Sequence, residues 1–447
     1  MLHGRKAPSF AMAIIKPFQG IRYNSSLIKD ISSVVTPPYD VISPQEQEGY
    51  YQKHPNNIIR IDFGKELPGD SEQVNKYTRA AEFLSEWTKA GILKREDTPA
   101  IYIYDQEFTS KDKRFVRRGF VSLVKLEPFD KGHIYPHEQT LSGPKVDRLK
   151  LMQSCHANLS SIFALFPDEN SAIDTYLSKT TNTKPELDFV DNSGVKNKLW
   201  VLKDREAVRT LSTLMKEKPL FIADGHHRYE TALVYQEQTR RANGWTGGDL
   251  PLDYVMMVCV SMNNPGLQIL PTHRLVQNIK NYPLDTLLTS LKESFHVECI
   301  GKGCSVDEFL FALNKGTKGP AFIMYAGKED TYYKLQPNNA NMIETVFTNN
   351  HPEWKHLDAG ILHGMIIEKI LGINATHGNN KNAVIYVKDE KEALSQVKAG
   401  YYQLAFFMKP TLIEQVKEIA MTRKVMPPKS TYFYPKLITG IVINSLR

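Results

Sequence analysis

Phe221-Ile222-Ala223-Asp224-Gly225-His226-His227-Arg228-Tyr229-Glu230 decides how the chain is read: a short apolar run meets Asp-Gly and passes at once into a helical pattern. A strand, a glycine turn and a helix start in that order are built to hold phosphate. The first N–H groups of a helix have no intrahelical partner and carry the positive end of its dipole, so anions bind there. Gly225 permits a sharp turn or a close backbone approach. His226, His227 and Arg228 add donors, Arg228 with a planar fork suited to phosphate. A plainer reading has Asp224 capping the helix while the histidines pack or face solvent; three basic side chains directly after Asp-Gly favour the anion. Adjacent histidines on a helix point in different directions, unlike the i, i+4 pair of a zinc helix.

Working outward, residues 14–23 read as a first strand. Thr36-Pro37-Pro38-Tyr39-Asp40-Val41-Ile42-Ser43-Pro44 reads as a rigid extended loop, because its prolines forbid helix. A helix is expected within 73–91. Residues 101–104 and 119–126 predict the arms of a hairpin, and the basic stretch 111–118 between them reads as its solvated turn. A polar loop (131–147), a helix from about 147, a strand (198–202), a helix (205–217) and a buried strand (220–223) lead to the opening motif, whose helix runs to about 238. Beyond it, strands at 255–260, 321–325, 384–387 and 403–407 alternate with helices at 284–294, 359–371 and 411–421. No Gly-x-Gly-x-x-Gly and no Gly-x4-Gly-Lys-Ser/Thr occurs, so a phosphate site here is neither a Rossmann turn nor a P-loop.

A chain of 447 residues is about two to three times a typical domain, which predicts two lobes with an active-site cleft between them. The polar segment 237–250, with Gly244, Gly247 and Gly248, is the best linker. It divides a phosphate-binding lobe (12–240) from a C-terminal α/β lobe (241–447), after an extension at 1–11 that is disordered or a misassigned start. At 41% hydrophobic and 23% charged, the composition excludes a disordered or fibrous chain. The net charge of +7 is spread along the length, without a concentrated basic face or a helix-turn-helix, so no nucleic-acid partner is expected. The 4 cysteines show no Cys-x-x-Cys spacing. No apolar run suggests a signal peptide or a membrane span, and a cytoplasmic protein is expected.

Two further constellations carry chemistry. In Tyr135-Pro136-His137-Glu138-Gln139-Thr140, followed by Lys145, Asp147 and Arg148, a carboxylate beside a histidine in a polar loop suits general-base work on a hydroxyl; an ordinary surface His-Glu pair fits the same letters. In Val425-Met426-Pro427-Pro428-Lys429-Ser430-Thr431-Tyr432-Phe433-Tyr434-Pro435-Lys436, prolines fix the backbone before a Lys-Ser-Thr cluster. That cluster either closes the fold or lines a cleft.

Together these segments resemble the family catalogued as domain of unknown function 1015. The resemblance is carried by Ile15-Lys16-Pro17-Phe18, the runs at 36–43, 118–120, 137–149 and 158–163, then 223–233, Leu270-Pro271-Thr272-His273-Arg274 and the run at 426–436. That family is similar in turn to the free serine kinases of the ParB and sulfiredoxin superfamily, which phosphorylate free L-serine with ADP or ATP. Pro136-His137-Glu138-Gln139 resembles the run holding their catalytic base, Asp224 to Arg228 their phosphate motif, and Pro428-Lys429-Ser430-Thr431 their loop near the serine, with Ser430 in place of a threonine. This chain is longer and carries an extra hairpin-to-helix region between Glu138 and Asp224.

The resemblance implies an α+β fold, a ParB/sulfiredoxin-like catalytic core joined to a second mixed α/β lobe. It implies a magnesium-dependent kinase with Glu138 and Asp224 catalytic, and with Gly225, His226, His227 and Arg228 on the nucleotide phosphate. His137, Lys429, Ser430 and Thr431 then meet a small hydroxy amino acid. Metal ligands and oligomeric state remain unassigned. The rival reading from the same superfamily is a ParB-type nucleotide-binding regulator without kinase activity; a sulfiredoxin-like redox role is disfavoured, because histidines stand where the reactive cysteine falls.

Overall fold

Lys111 (φ 48°) and Asp112 (φ 60°) both lie in the left-handed region, the two-residue geometry whose twist matches antiparallel strands. They join β1 (Ile101–Ser110) to β2 (Lys113–Lys125) in a long hairpin, with Ser110 opposite Lys113. The turn is therefore shorter than the basic stretch 111–118 predicts. Two residues suffice to reverse the chain, and the strand pattern resumes at once. Arg117 and Arg118, adjacent on a strand, point to opposite faces. Arg118 forms a forked pair with Asp105, the residue opposite it, at 2.8 and 2.5 Å, while Arg117 is buried.

The computed structural model describes residues 13–140, 142–279, 283–316, 319–338, 343, 354–355, 357–373 and 383–447; the extension expected at 1–11 lies outside them. The chain divides into two units. Met1–Pro136, Thr140–Gln268 and Pro435–Arg447 form the first, and His137–Gln139 with Ile269–Tyr434 form the second. A division at 240/241 does not describe this arrangement: the strand Tyr254–Ser261 lies beyond the glycine-rich segment, yet pairs inside the first unit's sheet.

That sheet has 9 strands. With β3 (Ile134–Tyr135), β4 (Ile162–Phe166), β5 (Leu187–Val190), β6 (Lys196–Leu202), β7 (Leu220–Asp224) and β8 (Tyr254–Ser261), its order is β3-β7-β4-β8-β2-β1-β6-β5, and Ile15–Lys16 pairs with β2. It is mixed: β7 runs parallel to β3 and antiparallel to β4, which is parallel to β8. The first strand expected at 14–23 is two short ones, Ile15–Lys16 and Ile21–Tyr23. Pro17 between them has no N–H to give a ladder. Ile103, Phe120, Ile162, Ala164, Leu220 and Ile222 share one core. Onto it α3 (His226–Ala242) lays Tyr229, Ala232 and Tyr235 at helical spacing, and the Tyr229 hydroxyl donates to the Glu127 carbonyl at 2.8 Å.

Helix α1 (Lys76–Lys89) and α2 (Ser142–Cys155) pack together, and α2 also packs on α3. Asp147 holds the first contact. It accepts from Lys76 and from the Tyr77 hydroxyl, both at 2.9 Å, and from its neighbour Arg148 at 2.6 and 2.9 Å.

In the second unit, β9 (His273–Val276), β10 (Phe295–Lys302), β11 (Phe322–Ala326), β12 (Thr331–Pro337), β13 (Val384–Val387) and β14 (Leu404–Met408) form an antiparallel sheet in the order β10-β12-β11-β14-β9-β13. The period of two sorts its residues. Phe322, Met324 and Phe406 face a core shared with α4 (Leu284–Ser294) and α6 (Asp358–Ile361), which continues as the wider-turned Leu362–Ile370. Ile323, Tyr325 and Phe407 face a core shared with α5 (Val306–Asn314) and α7 (Glu390–Lys398). Helices thus cover both faces of this sheet. No described helix is long and apolar enough to cross a membrane.

Burial works against the Asp147 carboxylate, but Arg148 and Lys76 overcome it and push its carboxyl down to about 2. A depressed carboxyl stabilises the fold at pH values above the ordinary value of about 4 and loses that contribution as pH falls towards 2. Asp147→Asn is expected to cost on the order of 2 kcal/mol at neutral pH and to flatten the loss of stability between about pH 4 and 2. Urea unfolding across that range reads both effects.

Candidate functional site

Strand β7 enters the site through an irregular register. Ile222 stands opposite Ala164, but Asp224 stands opposite Phe163, so the ladder is bulged between them, and a bulge re-aims the side chains beside it. The Asp224 carboxylate does not cap the helix. Gly225 is the capping residue, without a side-chain bond, while Asp224 Oδ2 accepts from Lys436 Nζ at 2.9 Å. Burial opposes the charge on Asp224, yet Lys436, with Arg228 and His226, holds its carboxyl far below the usual range.

Gly225 has φ 93°, a conformation that side chains with a Cβ resist. Space forbids one too: a Cβ here would lie 2.9 Å from Arg228 Nε and 3.0 Å from its Cζ. The guanidinium folds back across the turn, and its Nη1 donates to the Ser161 carbonyl. His226 is buried, with His227 and Arg228 half-buried beside it. One turn on, Glu230 accepts from Thr140 Oγ1 at 2.7 Å and from Lys145 Nζ at 2.8 Å, tying the start of α2 and the loop before it to α3. The motif thus carries a cationic excess around one carboxylate, at a helix N-terminus that offers its positive end.

The other predicted residues meet in the second unit. His137, 1% exposed, has Nε2 3.0 Å from Thr431 Oγ1, although the two stand 294 positions apart. Its carbonyl accepts from the Met426 N–H at 2.8 Å, and Glu138 bridges to Met426. The Pro-His-Glu-Gln run and the Pro-Lys-Ser-Thr loop are therefore one structural element. Lys429 is exposed and left-handed at φ 56°.

Ser430, expected to contact the substrate, turns its hydroxyl into its own loop. It is 5% exposed, and that hydroxyl donates to the Pro427 carbonyl at 2.7 Å. His137 is buried beside the Thr431 hydroxyl.

Three residues escaped the sequence reading. Lys436 closes the quoted C-terminal run, but only folding shows that it pairs with Asp224. Arg274, buried in Leu270-Pro271-Thr272-His273-Arg274, donates to the Lys429 carbonyl at 3.2 Å and lies 5.0 Å from the centre of the Tyr386 ring; burial pushes its guanidinium down to about 10. Arg117, taken for part of a solvated turn, donates to the Pro435 carbonyl at 2.5 Å. Its signal was period-two placement on a strand.

Among the described residues no group of three or more His, Cys, Asp or Glu side chains could hold a metal ion, and Asp224 is paired with Lys436. The described residues form no dedicated magnesium cage.

The family model described as protein of unknown function (DUF1015) matches residues 15–360. The chain belongs to that family. No curated protein matches it. Among solved structures, a free serine kinase in complex with AMP is similar at 14% identity and a TM-score of 0.33, over 70% of this chain and 86% of that one. A conserved hypothetical protein from Pyrococcus furiosus is similar at 15% and 0.34, over 72% and 95%. SbnI from Staphylococcus aureus, with a C-terminal truncation, is similar at 10% and 0.34, over 71% and 85%. Likeness this distant says nothing of substrate.

In this DUF1015 protein Gly225→Ala is expected to lower stability by about 1–2 kcal/mol, because it forces a Cβ into the left-handed region, and to displace the Arg228 guanidinium. Denaturant titration reads the first effect. A shift of the Arg228 side-chain Nε resonance reads the second.

Proposed function

We propose that this DUF1015 protein is a small-molecule kinase with a ParB/sulfiredoxin-like core, transferring a phosphoryl group from ADP or ATP to a hydroxyl, that of free L-serine in the leading case. The observation that carries the reading is the charge arrangement at the start of α3, where Lys436, Arg228 and His226 all act on the single carboxylate of Asp224. Such an arrangement suits a polyanion, and phosphoryl transfer asks the protein mainly for positioning and charge neutralisation. The resemblance of Pro136-His137-Glu138-Gln139 to the kinases' base-bearing run adds the acceptor side.

In this mechanism Gly225, His226, His227 and Arg228 hold the donor phosphate. The Glu138 carboxylate takes the hydroxyl proton as the acceptor oxygen bonds to phosphorus. The bond to the leaving phosphate breaks with its electron pair on the nucleotide, leaving AMP from ADP or ADP from ATP, together with O-phospho-L-serine. Asp224, fixed by Lys436, orients the turn. Lys429 and Thr431 contact the amino acid, Thr431 held by His137. A bound magnesium ion would add charge neutralisation at the donor phosphate, and no side chain of this chain is assigned to hold it.

The test is to incubate the protein with serine, Mg2+ and either nucleotide and to assay phosphoserine. Product with one donor is expected. Glu138→Gln should keep nucleotide affinity and lower kcat by at least about 100-fold, the usual span of general-base catalysis. Nucleotide binding without turnover across a panel of hydroxy amino acids would replace the kinase by the ParB-type regulator.

A further inference from the structure

Arg117 has no part in the reaction above, yet its surroundings are those of a ligand-binding group. It lies on β2 opposite Gln106 and is 2% exposed. Its Nη2 donates to the Pro435 carbonyl and to Gln106 Oε1, both neutral acceptors. Its Nη1 is buried without a hydrogen-bond partner. The guanidinium carbon lies 4.6 Å from the centre of the Phe163 ring, and Phe163 stands opposite Asp224 across the bulge. Burial pushes the guanidinium down to about 10, against the pull of Tyr104 and Asp224.

Two features of this environment are unusual together. A buried guanidinium normally meets a carboxylate that neutralises it. Here the carboxylate whose field reaches it, Asp224, is hydrogen-bonded to Lys436 and also answers to Arg228 and His226. One negative charge therefore serves several cations, and one of them keeps a donor unmade. A buried donor left unpaired is costly and calls for an explanation. A polyanion at the start of α3 supplies both the missing charge and the missing acceptor.

We propose that Arg117 is a phosphate-binding residue of the site formed by Asp224, Gly225, Arg228 and Lys436, its Nη1 donating to an oxygen of the bound phosphate chain. The proposal rests on the phosphate reading of Asp224 to Arg228 and extends it. The same guanidinium, through Nη2, grips the backbone that carries Lys436, so ligand and scaffold share one side chain.

The experiment measures binding of inorganic pyrophosphate to the full chain by calorimetry, at several salt concentrations, with circular dichroism as the check on folding. The wild-type protein is expected to bind. Arg117→Met should bind at least about tenfold more weakly, the scale of losing one buried charge contact, and with a shallower salt dependence, because one cation fewer acts on the anion. Arg117→Lys, which keeps the charge, should keep the salt dependence; it carries the test if the methionine variant does not fold.

A purely structural Arg117 acts only through the backbone of Lys436. In a Lys436→Met background, Arg117→Met should still cost about a further tenfold if the contact is direct; no further loss overturns the proposal. Wild-type binding matched by the Arg117 variants overturns it while leaving the phosphate site in place. Failure of the wild type to bind pyrophosphate overturns the phosphate reading and this proposal with it.

Discussion

Asp224 ends a buried strand with a carboxylate that the interior does not tolerate alone, and Lys436, 212 positions further along, meets it at 2.9 Å. Much of the first unit is arranged around that meeting. For Lys436 to arrive, the segment Pro435–Arg447 must run within the first unit. It does so by pairing Thr439 with Thr36 and Ile443 with Ile21, while Gln106 and Arg117 hold the carbonyls of Lys436 and Pro435. Gly440, at φ 97°, turns where a side chain would press on Ile58. The Thr36-to-Pro44 segment, read in sequence as an extended loop whose prolines forbid helix, instead makes a 3-10 turn at Tyr39–Val41 and starts a helix at Pro44, where a missing N–H costs nothing; its Thr36 supports the segment that delivers the lysine.

A similar device recurs in the second unit. Lys429 occupies a left-handed conformation that costs a residue with a Cβ about 1 kcal/mol, and Arg274 holds its carbonyl from the interior. Thr411 Oγ1 grips the next carbonyl, of Ser430, at 2.8 Å. A buried arginine bonded to a loop carbonyl fixes a backbone that no regular ladder fixes. Arg117 does this for Pro435 and Arg274 for Lys429. Each guanidinium is thereby committed to positioning, and of these two Arg117 retains a buried nitrogen without a partner among the described residues.

Fold and site were unequally legible. The alternation at 322–326 and 404–408 appears in the letters, because side chains on a strand face opposite cores whatever the tertiary arrangement. The strand, glycine and helix of 221–230 were equally plain, since Gly225 and the apolar run before it are local signals. The hairpin turn was misjudged because charge suggested solvent: Arg118 has a carboxylate directly across the ladder and Arg117 two neutral acceptors, and neither partner is local in sequence. The boundary expected near 240 followed a polar, glycine-rich segment that proves to lead into another strand of the same sheet.

The sequence by itself determined the local chemistry: a basic Asp-Gly-His-His-Arg turn at 224–228, a carboxylate beside a histidine at 137–138, a proline-stiffened Lys-Ser-Thr loop, and membership in a family recognisable from short runs. Only the tertiary structure decided how those residues are used. It paired Asp224 with Lys436, put His137 against Thr431, turned Ser430 inward and buried Arg117. The reason is physical. Helix starts and strand alternation depend on neighbours a few residues away, whereas the partner of a buried charge is whichever group folding brings within hydrogen-bond reach.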